Sequence, residues 1–169
     1  DEGFAATVFP VISGYELEDA RVESLTIDGN RSENPTTVDG CRTAGIFLYR
    51  GDHTTIANCT VRDYNGDGIS FQQSNDVRVE NCVVERCAGF GLHPGSGSQR
   101  PSVVDCRAVN NEGDGFFFCW RVRGGRLAVP RRVGESLDAR GLSQGAPVAR
   151  AHRLRREHAK QPLVRAKGL

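Results

Sequence analysis

The feature that most constrains this chain is a pattern that recurs at a fixed interval. A glycine followed by an apolar residue marks each copy, at spacings of 23, 23 and 24 residues: Gly45-Ile46, Gly68-Ile69, Gly91-Leu92 and Gly115-Phe116. A second marker recurs in the same register at 23 and 24 residues: Asn58-Cys59, Asn81-Cys82 and Asp105-Cys106. A fixed period in the twenties is typical of a solenoid, whose repeats bury their apolar faces against their neighbours.

Each repeat has the composition of short strands joined by turns. From Thr55 to Gln72, brief apolar alternations are separated by Asn, Gly and Asp, without the 3.6-residue period of a helix. We therefore predict an all-β fold, a right-handed single-stranded parallel β-helix of about four to five coils, with equivalent strands pairing about 4.8 Å apart. The rival leucine-rich repeat needs a helical segment and leucine at several fixed positions, where this chain has Val, Ile, Cys and Gly.

The repeat also carries a family resemblance. The run from Asn58 to Ile69 begins with Asn-Cys-Thr-Val and ends with Gly-Asp-Gly-Ile, and it resembles the repeats of the pectin-lyase-like superfamily of right-handed parallel β-helix proteins. The resemblance covers roughly residues 20–122. It implies a protein that acts on or binds acidic polysaccharide, in an extracellular or periplasmic location. The superfamily includes hydrolases, lyases, epimerases and phage tailspikes, so the fold alone does not choose a reaction.

The chain changes character near residue 120. Residues 1–120 carry 9 Arg, no Lys and 18 acidic residues, whereas residues 121–169 carry 13 basic and 3 acidic residues and no aromatic residue or cysteine. We divide the chain into a β-helix domain at 1–122 and a basic tail at 123–169. Three explanations of the tail stay open: an out-of-frame translation of a GC-rich gene, a disordered segment that binds a polyanion, and a short helix that caps the last coil. Nucleic acid is expected as a partner only if the tail is genuine.

The ends of the chain favour a fragment of a longer protein. The sequence has no initiator Met and no signal sequence. It has no apolar run of membrane length, so no membrane association is expected. Open strand edges at the ends of a short solenoid favour association between copies.

The six cysteines follow the repeat. Cys59, Cys82 and Cys106 share one repeat position, and Cys41 and Cys87 share another, four residues before the marker glycine. Equivalent positions stack on neighbouring coils, so we predict a ladder of buried free thiols. The sequence contains no Cys-x-x-Cys pair, so we predict no metal site of the zinc type.

A groove is predicted on the strand that follows each marker glycine. If the apolar residue after the glycine points inward, its successor points outward, and one outer column holds Phe47, Ser70, His93 and Phe117. The next column holds Tyr49, Gln72, Gly95 and Cys119. An insertion at 30–40 enters the turn before this strand and is expected to overhang the outer face. Aromatic faces suit sugar rings, so we predict a polysaccharide groove; the alternative is a solvated sheet face. The predicted groove is lined by Phe47, Tyr49, Gln72, Phe117 and Trp120.

Acid–base chemistry is predicted for His93 together with Asp67 or Asp114. Both aspartates lie in Gly-Asp-Gly turns, two coils or about 9 to 10 Å apart. That separation is at the upper end of the range for the two carboxylates of an inverting glycosidase. Such turns are also ordinary, because Asp bonds the local backbone. We predict His93 as a general acid–base group or a sugar ligand, with its ring left accessible by the small residues at 95–98.

The segment around His93 resembles the glycine-rich, histidine-containing segment of polygalacturonases. The sequence departs from that family, because His93 precedes Pro94 and the Asn-Thr-Asp, paired-Asp and Arg-Ile-Lys motifs have no counterpart. Pectate lyases hold calcium in an acidic cluster that Asp67 would join, so calcium is the one cofactor that the resemblance leaves open. The leading prediction is a polysaccharide hydrolase, lyase or epimerase, and the alternative is a non-catalytic glycan-binding, adhesin-like or structural module.

Overall fold

The computed structural model describes residues 9–36, 43–128 and 152–153. The strands are β1 (Ile12–Glu18), β2 (Arg21–Glu23), β3 (Thr26–Asp28), β4 (Ala44–Asp52), β5 (Thr55–Ala57), β6 (Thr60–Arg62), β7 (Asp67–Gln72), β8 (Arg78–Glu80), β9 (Val83–Glu85), β10 (Leu92–Pro94), β11 (Ser102–Val104), β12 (Arg107–Val109), β13 (Arg126–Ala128) and β14 (His152–Arg153). Within those ranges no helix is long and apolar enough to cross a membrane.

Three sheets run along the molecule, and each takes one strand from each of the four complete coils. The first sheet has the order β1-β4-β7-β10, the second β14-β13-β11-β8-β5-β2 and the third β12-β9-β6-β3. The strands pair in parallel, apart from the antiparallel pair of β13 with β14. Four coils are complete and a fifth is begun. The prediction of a right-handed parallel β-helix is confirmed.

The marker glycine reflects a narrow point in the coil. In the first sheet Ile46 pairs with Ile69 and Ile69 with Leu92, so equivalent apolar side chains stack in the core. A Cβ on Gly68, next to Ile69, would lie 2.1 Å from Cγ1 of Val84 in the third sheet. A side chain at this position would collide with the opposite wall of the core. The glycine is therefore required by close packing.

The Asn-Cys marker reflects a backbone requirement. Asn58, Asn81 and Asp105 have φ angles of 56°, 51° and 52°, and each joins a strand of the second sheet to a strand of the third. Asn and Asp tolerate this left-handed region better than other residues with a side chain. The recurring Asn or Asp thus closes this turn in three successive coils, and Ser24, with φ of 58°, closes it in the first.

The cysteine ladder is confirmed for the described residues. Cys59, Cys82, Cys87 and Cys106 are buried free thiols. The N–H groups that follow Cys82 and Cys106 donate to the carbonyls of Cys59 and Cys82, which places these three cysteines one above another. Burial raises the pKa of the Cys87 thiol to about 11, so this thiol stays protonated at neutral pH. Cys41 lies outside the described residues.

The described strands continue past residue 122, where the sequence placed the end of the repeats. β13 pairs with β11 in parallel, and β14 pairs with β13 in antiparallel. The solenoid therefore extends at least to Ala128. The remainder of the basic tail lies outside the described residues, and its three explanations remain predictions.

Candidate functional site

The outer face of the first sheet carries the first column that the repeat predicts. Phe47 pairs with Ser70, and Ser70 pairs with His93. The N–H of Phe117 donates to the carbonyl of Leu92 at 2.9 Å, which places Phe117 beside His93 on the next coil. The sequence pattern therefore located this column correctly.

The second column places Gln72 on β7, one coil before His93, with its amide against Gly95 on the coil of His93. Tyr49 pairs with Gln72, and a Cβ on Gly95 would lie 1.8 Å from Nε2 of Gln72. The missing side chain of Gly95 thus leaves the space that the Gln72 amide occupies. Gln72 is only 6% exposed, and its Nε2 has no hydrogen-bond partner among the described residues.

A buried pair of ionisable side chains occupies the first column. Nδ1 of His93 lies 2.7 Å from Oδ2 of Asp67, and both side chains are more than nine-tenths buried. Oδ1 of Asp67 accepts the backbone N–H of Phe90 at 2.8 Å. A Cβ on Gly89 would lie 2.3 Å from that oxygen, so Gly89 gives the carboxylate its space. Two of the predicted catalytic residues are therefore in direct contact.

The contact with Asp67 defines what the other nitrogen of His93 can do. A carboxylate only accepts hydrogen bonds, so Nδ1 carries the proton. In the neutral ring Nε2 is then an acceptor with a free lone pair. Within the described part of the chain this buried Nε2 has no partner. The arrangement leaves one oriented basic nitrogen on the outer face of the sheet.

The expectation that the His93 ring is accessible is wrong. His93 is 3% exposed, because two phenylalanine rings cover it. The centroids of Phe90 and Phe117 lie 5.0 and 5.1 Å from the imidazole centroid, and the two phenyl rings stack on each other at 4.3 Å. The sequence suggested that the small residues after His93 leave its ring accessible. In the fold, the ring of Phe90, from the turn before β10, and the ring of Phe117, from the next coil, close over it.

Phe47 was also expected to line an accessible groove, and it is buried at 1% exposure. The ring of Tyr15 on β1 packs edge-on against Phe47 at 5.9 Å and lies 6.4 Å from the ring of Tyr49. Tyr15 is itself exposed, so it replaces Phe47 as the accessible aromatic residue at this end. The sequence missed Tyr15, although the alternation in β1 was a usable signal. Trp120, at 69% exposure, is accessible as expected.

His93 is hydrogen-bonded to Asp67 and not to Asp114. Asp114 is half-buried, and its backbone carbonyl accepts the N–H of Gly91 at 3.0 Å. Asp67 is committed to His93 and Phe90, so the two aspartates do not act as an equivalent pair. A catalytic role for Asp114 remains a prediction.

Metal ligands are not clustered in the described ranges. No group of three or more His, Cys, Asp or Glu side chains there is arranged to hold a metal ion. Asp67, which the resemblance offered as a calcium ligand, bonds His93 instead. A calcium site stays a prediction from the resemblance.

The described part of the insertion lies beside the turns that precede the first sheet. It borders an open cavity of about 540 Å³. Arg31 pairs there with Glu112, and Arg86 holds both carboxylate oxygens of Asp63 at 2.8 Å. These charges satisfy one another, so the outer face is the stronger candidate site. Residues 37–42, which would decide whether the insertion overhangs that face, lie outside the described residues. The cavity is lined by Arg31, Ser32, Pro35, Asp63, Arg86, Asn110 and Glu112.

Comparison with known proteins identifies the family. The family described as "Right handed beta helix region" matches residues 12–121. The chain belongs to the right-handed β-helix family. This β-helix chain is 33% identical over 103 residues to a protein of Aspergillus flavus named "Putative galacturan 1,4-alpha-galacturonidase A". The aligned part is 60% of the β-helix chain and 22% of the relative, so the chain spans about a fifth of that relative's length. No solved structure matches the chain significantly.

Proposed function

We propose that this β-helix protein binds and cleaves an acidic polysaccharide on the outer face of its first sheet, with His93 as the acid–base group. One observation carries the proposal: Asp67 holds Nδ1 of His93 at 2.7 Å, while the buried Nε2 has no partner in the described residues. A base whose second nitrogen is fixed by a carboxylate is the arrangement that general acid–base catalysis uses. The likeness to a protein named for a galacturonidase activity supports galacturonate as the sugar.

The surroundings of His93 support an acidic sugar chain. Tyr15 and Tyr49 offer aromatic faces on the same sheet, and aromatic faces pack well on sugar rings. The guanidinium of Arg50 lies 5.2 Å from the centre of the Tyr49 ring. Its pair with Glu16 is weak, because the two side chains are 54% and 70% exposed. A uronate carboxylate can therefore exchange with Glu16 at Arg50.

We assign a proton-transfer role to His93 as part of this proposal. Neutral Nε2 accepts a proton, either from water attacking the glycosidic carbon or from the carbon next to a uronate carboxylate. The carboxylate of Asp67 stabilises the imidazolium that forms. The imidazolium then gives the proton to the glycosidic oxygen of the leaving sugar as the glycosidic bond breaks. Substrate reaches Nε2 only when the ring of Phe117 moves aside. The backbone on both sides of this ring is held to β10, because the N–H groups of Phe117 and Cys119 donate to the carbonyls of Leu92 and Pro94 at 2.9 Å, so only the side chain has to move.

The same burial favours a second candidate, a non-catalytic glycan-binding module. A histidine that is 3% exposed and packed between aromatic rings can be a structural residue. The exposed rings of Tyr15 and Trp120 would then hold the glycan without turnover. In this alternative the Asp67–His93 pair only stabilises the coil.

The proposed substrate also suggests the location of the protein. A polysaccharide does not cross a membrane unaided, so a protein that acts on it is expected in an extracellular or periplasmic space. Polysaccharide is likewise the expected partner under both candidate functions.

Cleavage of polygalacturonate by the purified full chain tests the proposal. Replacing His93 with alanine is expected to lower turnover about 10²- to 10⁴-fold, the usual contribution of a general acid–base group. Release of reducing ends measures hydrolysis, and ultraviolet absorbance of unsaturated products measures elimination. His53→Ala is the matched control, because His53 is an exposed histidine outside both columns.

Two other results would decide against the proposal. Turnover that survives His93→Ala unchanged removes His93 from the mechanism. Binding of polygalacturonate by calorimetry, with no turnover by the unmodified chain, establishes the glycan-binding module instead.

A further inference from the structure

We propose that Gln72 and His93 form a single subsite that binds hydroxyl groups of the sugar, and that Arg50 binds the sugar carboxylate separately. We call the pair of side chains Gln72 and His93 the hydroxyl subsite. The inference rests on the proposed function, since it describes how the same face recognises its glycan.

The first argument is the location of the unpaired polar atoms. In the described ranges, two buried side-chain nitrogens lack a hydrogen-bond partner: Nε2 of Gln72 and Nε2 of His93. Burying a polar atom without a partner destabilises a fold, so such atoms are rare in native proteins. Here both lie on the outer face of one sheet, on adjacent coils, with Gln72 on β7 and His93 on β10. Two such atoms in one place point to a polar ligand that completes their hydrogen bonds.

The second argument is the complementary chemistry of the two atoms. Nε2 of an amide is a donor, whereas Nε2 of the neutral His93 ring is an acceptor. A sugar hydroxyl both donates and accepts, so hydroxyls satisfy both nitrogens. A carboxylate has no proton to donate to His93. The hydroxyl subsite therefore matches the hydroxyl edge of a uronate and not its acidic edge.

The third argument is spacing. The Gln72 amide occupies the space above Gly95, two residues from His93 along the coil. Two residues of strand span about 7 Å, so the subsite is wide enough for one sugar ring. The two nitrogens would bond hydroxyls on opposite sides of one sugar or on consecutive sugars. Arg50 follows Tyr49 on β4, one coil before Gln72 and two coils before His93, where a carboxylate at the other edge of the sugar chain can reach it.

Calorimetric binding to two trimers tests the inference. The probes are trigalacturonate and its fully methyl-esterified form, which keeps the same free ring hydroxyls but has no negative charge. Gln72→Leu is expected to weaken binding of both probes equally, by about 3- to 10-fold, because one hydrogen bond is lost in each case. Arg50→Gln is expected to weaken binding of the charged probe only.

Gln99→Leu is the matched control for the change of amide to leucine. The Gln99 amide bonds the carbonyls of Gly97 at 2.9 Å and Arg121 at 3.1 Å, outside the two columns. It is expected to leave binding unchanged and to lower the melting temperature. Gln72→Leu removes an unsatisfied amide, so its melting temperature should be unchanged or higher. Weaker binding without lost stability would support a ligand role, which a purely structural role of Gln72 does not predict.

The remaining outcomes separate this inference from the proposed function. If the unmodified chain binds neither probe, the proposed function fails and the subsite with it. If it binds and Gln72→Leu changes nothing, the subsite is wrong while the proposed function stands. If Gln72→Leu weakens binding of the charged probe only, Gln72 binds the carboxylate, which also overturns the inference.

Discussion

Replacing Asp67 with asparagine is expected to lower turnover of polygalacturonate about 10²- to 10⁴-fold, although the side chain keeps its size. The asparagine oxygen can still accept the N–H of Phe90, which Asp67 accepts at 2.8 Å. Its amide nitrogen then faces Nδ1 of His93 and donates to it. The ring proton moves to Nε2, and the nitrogen that should act as a base becomes a donor.

Two measurements identify this cause. The ¹⁵N shifts of the His93 ring should show the proton on Nε2 in the variant and on Nδ1 in the unmodified chain. Asp105→Asn is the matched control, because the equivalent position of other coils already holds Asn58 and Asn81 with the same left-handed φ. Turnover of Asp67→Asn that stays within about tenfold of the unmodified chain would contradict the role of Asp67 as the orienting group.

The largest expected effect on stability comes from Ile69. Its side chain is fully buried and stacks between Ile46 and Leu92 of the neighbouring coils. Ile69→Ala should lower the free energy of unfolding by about 2 to 5 kcal/mol, because it removes buried methyl groups and leaves a cavity in the stack. Urea unfolding followed by circular dichroism measures the loss.

A graded series checks that packing is the reason. Ile69→Val is expected to cost about 0.5 to 1.5 kcal/mol, since it removes one methylene group. Leu25→Ala, at a residue that is 40% exposed, should cost much less than Ile69→Ala. Equal losses of unfolding free energy for Ile69→Ala and Leu25→Ala would show that the stack around Ile69 is not the main core.

The fold was predictable because its markers are local. A left-handed turn favours Asn or Asp at positions such as Asn81, and the contact with Val84 needs a glycine at Gly68. Both features return in successive coils, so they appear in the sequence as a period. The alternation within a strand then placed Ser70 and His93 in one outer column without any knowledge of the structure.

The site was predictable only in part, because its details depend on side chains that pack across coils. The sequence named Asp67 and His93 but not their contact, which requires the space left by Gly89. The repeat pattern gave no role to Phe90, whereas its ring packs against the imidazole with centroids 5.0 Å apart. The partnerless Nε2 of Gln72 is a property of packing that no spacing of residues records.

The most direct test of the central claim is a titration of the ¹⁵N-histidine-labelled full chain with trigalacturonate. The chain has four histidines, at positions 53, 93, 152 and 158, so each ring can be assigned by single substitution. We expect the Nε2 resonance of His93 to move as the glycan binds, because a sugar hydroxyl then donates to that nitrogen, and the exposed His53 to stay unchanged. A His93 resonance that does not move at saturating glycan would contradict the account.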